Sequence, residues 1–218
     1  MEPLILYFVL FFPGVYNLPF SGGMPLPEVI QFSIFRELGR TVTYTLPSLA
    51  LLWYLISDRK GFQALAGEKP QKSDFFTLSA GLPGLILIGL GISFLVLHFP
   101  DYQGLTPPPR VEVPINAAGW IVMVFSCLGT GYLEESFFRY YLLNVLEKPV
   151  PNSIFRIILS TALFSLCHIY EGPWGILNAV LAGILLSVLF VRFRSLHGIA
   201  WAHGCYNIFV YIMAIFNF

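Results

Sequence analysis

Long apolar stretches, parted by short polar ones, set the pattern of this chain. Seven stand out: Leu4–Leu18, Val42–Ser57, Phe75–Phe99, Ile115–Leu146, Ile154–Tyr170, Trp174–Phe193 and Ile199–Phe218. A membrane-spanning helix needs about 20 mainly apolar residues, so each reads as a transmembrane helix. The first is the weakest, being short and interrupted by Pro13 and Gly14. The fourth is too long for one upright crossing: 32 residues would reach about 48 Å against a hydrocarbon core of about 30 Å. Gly129 and Gly131 predict a bend or a fresh start inside it. Ser73-Asp74 reads as the cap of the third helix, and Thr106-Pro107-Pro108-Pro109 as an extended loop. The expected fold is all-α: one membrane domain over residues 1–218, a polytopic bundle of about seven (six to eight) helices around a polar cavity.

Composition agrees with that pattern. The chain is 56% hydrophobic, 17% aromatic and only 11% charged, with a mean hydropathy of +0.74. Soluble domains carry about 25% charged residues, which removes a soluble core from consideration. A net charge of zero gives no electrostatic footprint for nucleic acid, so the bilayer is the first implied partner. Cys127, Cys167 and Cys205 lie in apolar runs without CxxC spacing and read as reduced, buried thiols. Met1-Glu2-Pro3 before the first apolar run lacks the basic start of a signal peptide and is expected to be retained.

Basic residues set the expected orientation. Arg59, Lys60, Lys69, Lys72, Lys148, Arg156, Arg192 and Arg194 fall on one side of the seven segments; Arg36, Arg40 and Arg110 fall on the other. The expectation is a multi-pass protein of the cytoplasmic membrane with its N-terminus inside.

Against this background the polar residues inside the segments are conspicuous. A charge at the bilayer centre costs roughly 2.5–3.5 kcal/mol on insertion scales, yet Glu134, Glu135 and Arg139 lie within six residues. Glu135 and Arg139 are four apart and can pair on one helix face; Glu134, about 100° around the helix, is left without an obvious partner. Ser165, Cys167 and His168 end the fifth segment, and His203 and Asn207, again four apart, lie in the seventh. Glutamate, two histidines and asparagine converging in a polar cavity could hydrolyse a peptide bond. That chemistry needs a base for water, donors for an oxyanion and a proton for the leaving amine.

The motifs Glu134-Glu135-x-x-x-Arg139, Phe164-x-x-x-His168 and His203-x-x-x-Asn207 resemble those of the CAAX protease and bacteriocin-processing family, also called the Abi family. All three occur in order on separate apolar segments within about 131–210, placing a motif-bearing core at about 115–212. The resemblance implies a glutamate-type intramembrane endopeptidase acting on a membrane-anchored protein or peptide, without a cofactor or metal. It implies that Glu134 activates the water with His168 assisting, that His203 and Asn207 stabilise the oxyanion, and that Glu135 and Arg139 support the site. Tyr140 departs from the pattern, since many relatives have glycine there; no chemical group is lost by it.

Each residue also has a plainer reading. Glu135 and Arg139 could be a structural ion pair, and Glu134 and His203 interfacial. His168 could be a helix-end imidazole bonded to a carbonyl, Asn207 an interhelical hydrogen-bond residue, and Phe164 packing. His98 reads as interfacial, His197 as solvated in a turn, and Glu171 as a loop residue. Gly175, Ala179, Gly183 and Ser187 form a close-packing stripe. Among rival functions, a zinc protease lacks the His-Glu-x-x-His spacing. A thiol protease is disfavoured because neither Cys167 nor Cys205 projects with its neighbouring histidine. A transporter would show inverted repeats, and a non-catalytic scaffold would differ only in activity. One geometric difficulty stands: on upright helices His203 would lie about 13 Å shallower than Glu134 and His168.

Overall fold

The computed structural model describes residues 2–11, 29–57, 70–98 and 110–215. The last part of the first apolar segment, the Pro-rich link at 106–109, and Arg59, Lys60 and Lys69 lie outside them. Seven helices are present among the described residues. Helix α1 is Glu2–Leu10. Helix α2 runs from Ile34–Arg40 through a π-helical turn, Thr41–Thr45, into Leu46–Ser57. Helix α3 is Lys72–His98. Helix α4 spans Ala117–Val145 and contains a second π-helical turn, Ser136–Tyr141. Helix α5 is Ser153–Leu166, α6 is Gly172–Phe193 and α7 is Leu196–Ile215. A two-residue parallel pairing of Val29–Ile30 with Arg110–Val111 ties the start of α2 to the start of α4. Three helical stretches, Lys72–His98, Ala117–Val145 and Ile169–Phe193, are long and apolar enough to cross a membrane. The architecture is an all-α, multi-pass membrane bundle.

Helix α4 does not break where its glycines suggested. It stays α-helical through Gly129 and Gly131 to Glu135, and the irregular turn comes after the glutamates. The glycines serve close packing instead. A Cβ on Gly131 would stand 2.8 Å from the Ala200 carbonyl oxygen and from the Gly204 nitrogen; one on Gly204 would stand 2.9 Å from the Leu128 Cα. Backbone thus meets backbone where α4 crosses α7. The small-residue stripe of α6 behaves as expected: a Cβ on Gly183 would press on Thr161 and Phe164 of α5, and Gly175, Ala179 and Ser187 are buried with it.

The fifth segment is a shorter helix than its hydropathy implied. Its 14 residues reach only about 21 Å. It ends in a turn at Cys167 and His168, followed by the 3₁₀ turn Ile169–Glu171. Helix α1, at the described start of the first segment, is nine residues long, with Leu6, Tyr7 and Leu10 in the core. The connection from α6 to α7 is two residues long and buried at Ser195, whose hydroxyl donates to Asp74 Oδ1 at 2.5 Å and accepts from the Gly198 amide. Asp74 also accepts from the Gln71 amide, the reach-back half of a capping box. Helix α7 therefore starts three residues before its apolar run and inside the bundle. The three added residues account for about 4.5 Å of the expected mismatch; upright helices do not describe the rest, since His203 Nε2 comes within 3.6 Å of Glu134 Oε2. His197 belongs to this first turn: it is half-buried, 2.9 Å from the Tyr132 hydroxyl through Nδ1 and stacked on Trp201, not solvated.

Candidate active site

The crossing of α4 and α7 carries the centre of the site. Glu135 and Arg139 are both fully buried and pair through Oε1 and Nη1 at 3.0 Å. The same Oε1 lies 2.7 Å from His203 Nδ1, so one carboxylate oxygen joins the two motifs. The imidazole is thereby pinned, and its other nitrogen, Nε2, stands 3.6 Å from Glu134 Oε2. Glu134 is the more open of the two acids, its side chain 17% exposed. Its Oε2 is nevertheless buried and, like Oε2 of the sealed Glu135, has no hydrogen-bond partner among the described residues. A bare carboxylate oxygen inside an apolar bundle is costly, and a water molecule or substrate group is the natural partner for it.

Phe164 does more than pack. Its ring stands 4.4 Å from the Arg139 guanidinium carbon, close enough for a cation–π contact. It also lies 4.6 Å from the His168 ring and 5.9 Å from the His203 ring. One phenyl group therefore separates the two imidazoles and roofs the buried arginine. Arg139 Nη2 donates to the Gly183 carbonyl at 3.4 Å. A Cβ at Gly183 would stand 3.0 Å from Thr161 Cγ2 and 3.3 Å from Phe164 Cδ1, so the missing side chain eases the approach of α6 to α5.

His168 sits where α5 ends, half-buried, its Nδ1 3.0 Å from the Phe164 carbonyl. With Nδ1 donating to that oxygen, Nε2 is the ring's acceptor. The plain reading of a carbonyl-bound imidazole is thus what the structure shows, and the same bond leaves Nε2 as an acceptor. Asn207 is half-buried one turn beyond His203 on α7. Among the described residues it makes no hydrogen bond to the other motif residues. Two cavities, of about 260 and 240 Å³, lie at opposite ends of the bundle, and neither is lined by a motif residue. Among the described residues no group of three His, Cys, Asp or Glu is arranged to hold a metal ion. Cys167 lies against Tyr7 and the Leu163 carbonyl, and Cys127 against Met123; all three thiols are free.

Sequence reasoning missed one cluster. Glu37 and Arg40 of α2, placed before the second apolar run, join Ser126 and Thr130 of α4. Arg40 Nη2 lies 2.9 Å from Glu37 Oε2 and 2.7 Å from Ser126 Oγ, while Nη1 lies 3.3 Å from Thr130 Oγ1. Ser126 Oγ donates in turn to Glu37 Oε2 at 2.7 Å. The available signal was Ser33, which caps the helix by accepting from the Arg36 amide and so announces a start well before Val42.

Residues 115–209 match the family model described as Type II CAAX prenyl endopeptidase Rce1-like. That stretch begins just before α4, runs most of the way along α7, and contains all seven motif positions; α1, α2 and α3 lie outside it. No curated protein and no solved structure matches the chain.

Proposed function

The segment that carries the motifs belongs to the Rce1-like family of CAAX-type endopeptidases, and from that premise we propose that this membrane protein hydrolyses peptide bonds with a water activated by Glu134. The observation that carries the proposal is the pinned imidazole. Glu135 and Arg139 fix His203 through Glu135 Oε1, and His203 Nε2 in turn faces Glu134 Oε2, which has no hydrogen-bond partner among the described residues. This supports a division of labour in which Glu135 is structural support and Glu134 is the base.

Glu134 takes a proton from water as the water oxygen bonds to the scissile carbonyl carbon. His168 Nε2, as an acceptor, holds the second water hydrogen. The carbonyl becomes an oxyanion, with the Asn207 amide as donor. His203 Nε2 adds a second donor when it carries a proton. Protonated Glu134 then returns its proton to the amine nitrogen as the C–N bond breaks, leaving a carboxylic acid, which keeps the second water hydrogen, and an amine. A prenylated or otherwise membrane-anchored protein or peptide is the substrate class that the family description supports.

Glu134→Gln tests the assignment. The amide is nearly isosteric but cannot accept the water's proton, so peptide hydrolysis by the purified protein should vanish while its melting temperature holds. Asn207→Ala should keep a residual rate, since removing one oxyanion donor typically costs about 10²–10³ in kcat. Wild-type activity in the Glu134→Gln variant would sink the glutamate mechanism. So would stoichiometric zinc lost together with activity on chelation and restored with it.

A further inference from the structure

The Glu37–Arg40 pair differs from Glu135–Arg139 in one respect. The second pair is sealed, at 0% exposure for both side chains; in the first, Glu37 is 11% exposed and Arg40 is 42% exposed. An arginine facing lipid tails is strongly disfavoured, so an arginine side chain this open a turn and a half inside α2 calls for polar surroundings. Its position is fixed by three acceptors: Glu37, Ser126 and Thr130. They take three of its five N–H groups and leave two for another partner.

The α4 side of the cluster leads to the active site. Ser126, Thr130 and Glu134 recur every fourth residue and so share one face of α4. Helix α7 runs antiparallel across it and presents His203, Asn207 and Tyr211 at the same spacing. Tyr211, at the far end of that line, meets the ring of Phe32 just before α2. The cavity of about 240 Å³ bounded by Phe32, Asn116 and Gly119 opens at that same end. The π-helical turn of α2 follows Arg40 directly, and such turns gather at functional sites. Nothing in folding an apolar bundle calls for hydroxyls and an open cation aligned with an acid in this way.

We propose that Arg40, held by Glu37, Ser126 and Thr130, is a substrate-positioning subsite that binds an oxygen acceptor of the peptide beside Glu134. Thr130 is one helical turn, about 6 Å, from Glu134 along the axis. An extended peptide advances about 3.3 Å per residue. Arg40 therefore reaches an oxygen about two residues from the attacked carbonyl: a main-chain carbonyl, or the terminal carboxylate of a short tail. The inference rests on Glu134 as the base, since that residue sets the distance.

The test uses the full chain in proteoliposomes and an internally quenched peptide with a prenylated cysteine and a short C-terminal tail, made as free acid and as amide. Arg40→Lys keeps the charge and the pair with Glu37 but loses the guanidinium fork. Glu37→Gln/Arg40→Gln removes both charges together. The expected result is a KM raised about 10–100-fold in the double variant and less in Arg40→Lys, with kcat changed far less. The same ranking is expected for peptide binding to these variants in an inactive Glu134→Gln background, read by fluorescence anisotropy. A loss confined to the free acid identifies the carboxylate as the bound group; an equal loss for both peptides identifies a main-chain carbonyl. Unchanged KM and unchanged binding in a folded Arg40→Lys variant would overturn the subsite. Cleavage by Glu134→Gln would instead overturn the glutamate mechanism, and the binding comparison would still decide the role of Arg40.

Discussion

Glu134 and Glu135 are chain neighbours, yet one carboxylate is locked and the other bare. Glu135 holds Arg139 and His203 through a single oxygen, and all of this lies out of reach of solvent. Removing one partner of a buried pair leaves an uncompensated charge, which typically costs about 3–5 kcal/mol. Arg139→Ala should therefore lower the melting temperature and the yield of folded protein together with activity. Arg139→Lys should restore part of the stability but lose the contact with the Gly183 carbonyl, because a lysine is a point charge without the planar fork. Thermal unfolding in detergent measures both; a stable Arg139→Ala protein would mean that Glu135 is not held this way. The pairing itself was legible in the four-residue spacing of Glu135 and Arg139. The link from Glu135 to His203 was not, because two residues 68 positions apart announce nothing in one sequence. The same limit hid Glu37 and Arg40, whose partners Ser126 and Thr130 come from a distant helix, and whose charges pull hydropathy down where α2 begins.

At the scale of elements, the site depends on how closely α4 and α7 approach. Gly131 and Gly204 are irreplaceable there for a reason of space: any Cβ meets main chain, which cannot rotate away. Gly131→Leu should force the two helices apart and carry His203 away from Glu134. Activity would then fall by more than a surface change could explain, with a loss of stability on the order of the 1–3 kcal/mol typical of overpacking. Gly91, whose Cβ would meet nothing within 4 Å, is the control: Gly91→Leu should leave activity intact. Equal activity in both variants would contradict the crossing as the element that sets the site. Glycines in the sequence were read as places where α4 bends, since spacing alone does not separate a bend from a contact. Helix α5 misled in a similar way. Its apolar run continues past Leu166, but the chain turns at Cys167 and His168, and Gly172-Pro173 then start α6. Hydropathy reports the depth of a residue and is blind to the end of a helix inside the membrane.

For the whole molecule, three separate connections meet at one end of the bundle. Arg194, the left-handed residue just after α6, reaches Asn144 in the last turn of α4 and Glu147 beyond it. Arg156 of α5 approaches Glu147 at 3.9 Å, and Asp74 of α3 accepts from Ser195. Lys72, Lys148 and Arg192 fall at this end too, while Arg36 and Ile115 stand at the starts of α2 and α4 at the other. The clustering of charge is what an excess of basic residues on the cytoplasmic side would produce. It also fits the antiparallel order of α4, α5, α6 and α7, in which each short turn returns the chain across the bundle. We therefore expect single cysteines at Lys148 and at Ile115, each placed in a variant whose three native thiols are replaced by alanine, to react from opposite faces of sealed vesicles. A membrane-impermeant maleimide added outside spheroplasts should label the Ile115 position and spare the Lys148 position until the membrane is opened. Labelling of both from the same side would mean that α4 does not cross the bilayer, and Glu134 would then lose the apolar surroundings on which its assigned role depends.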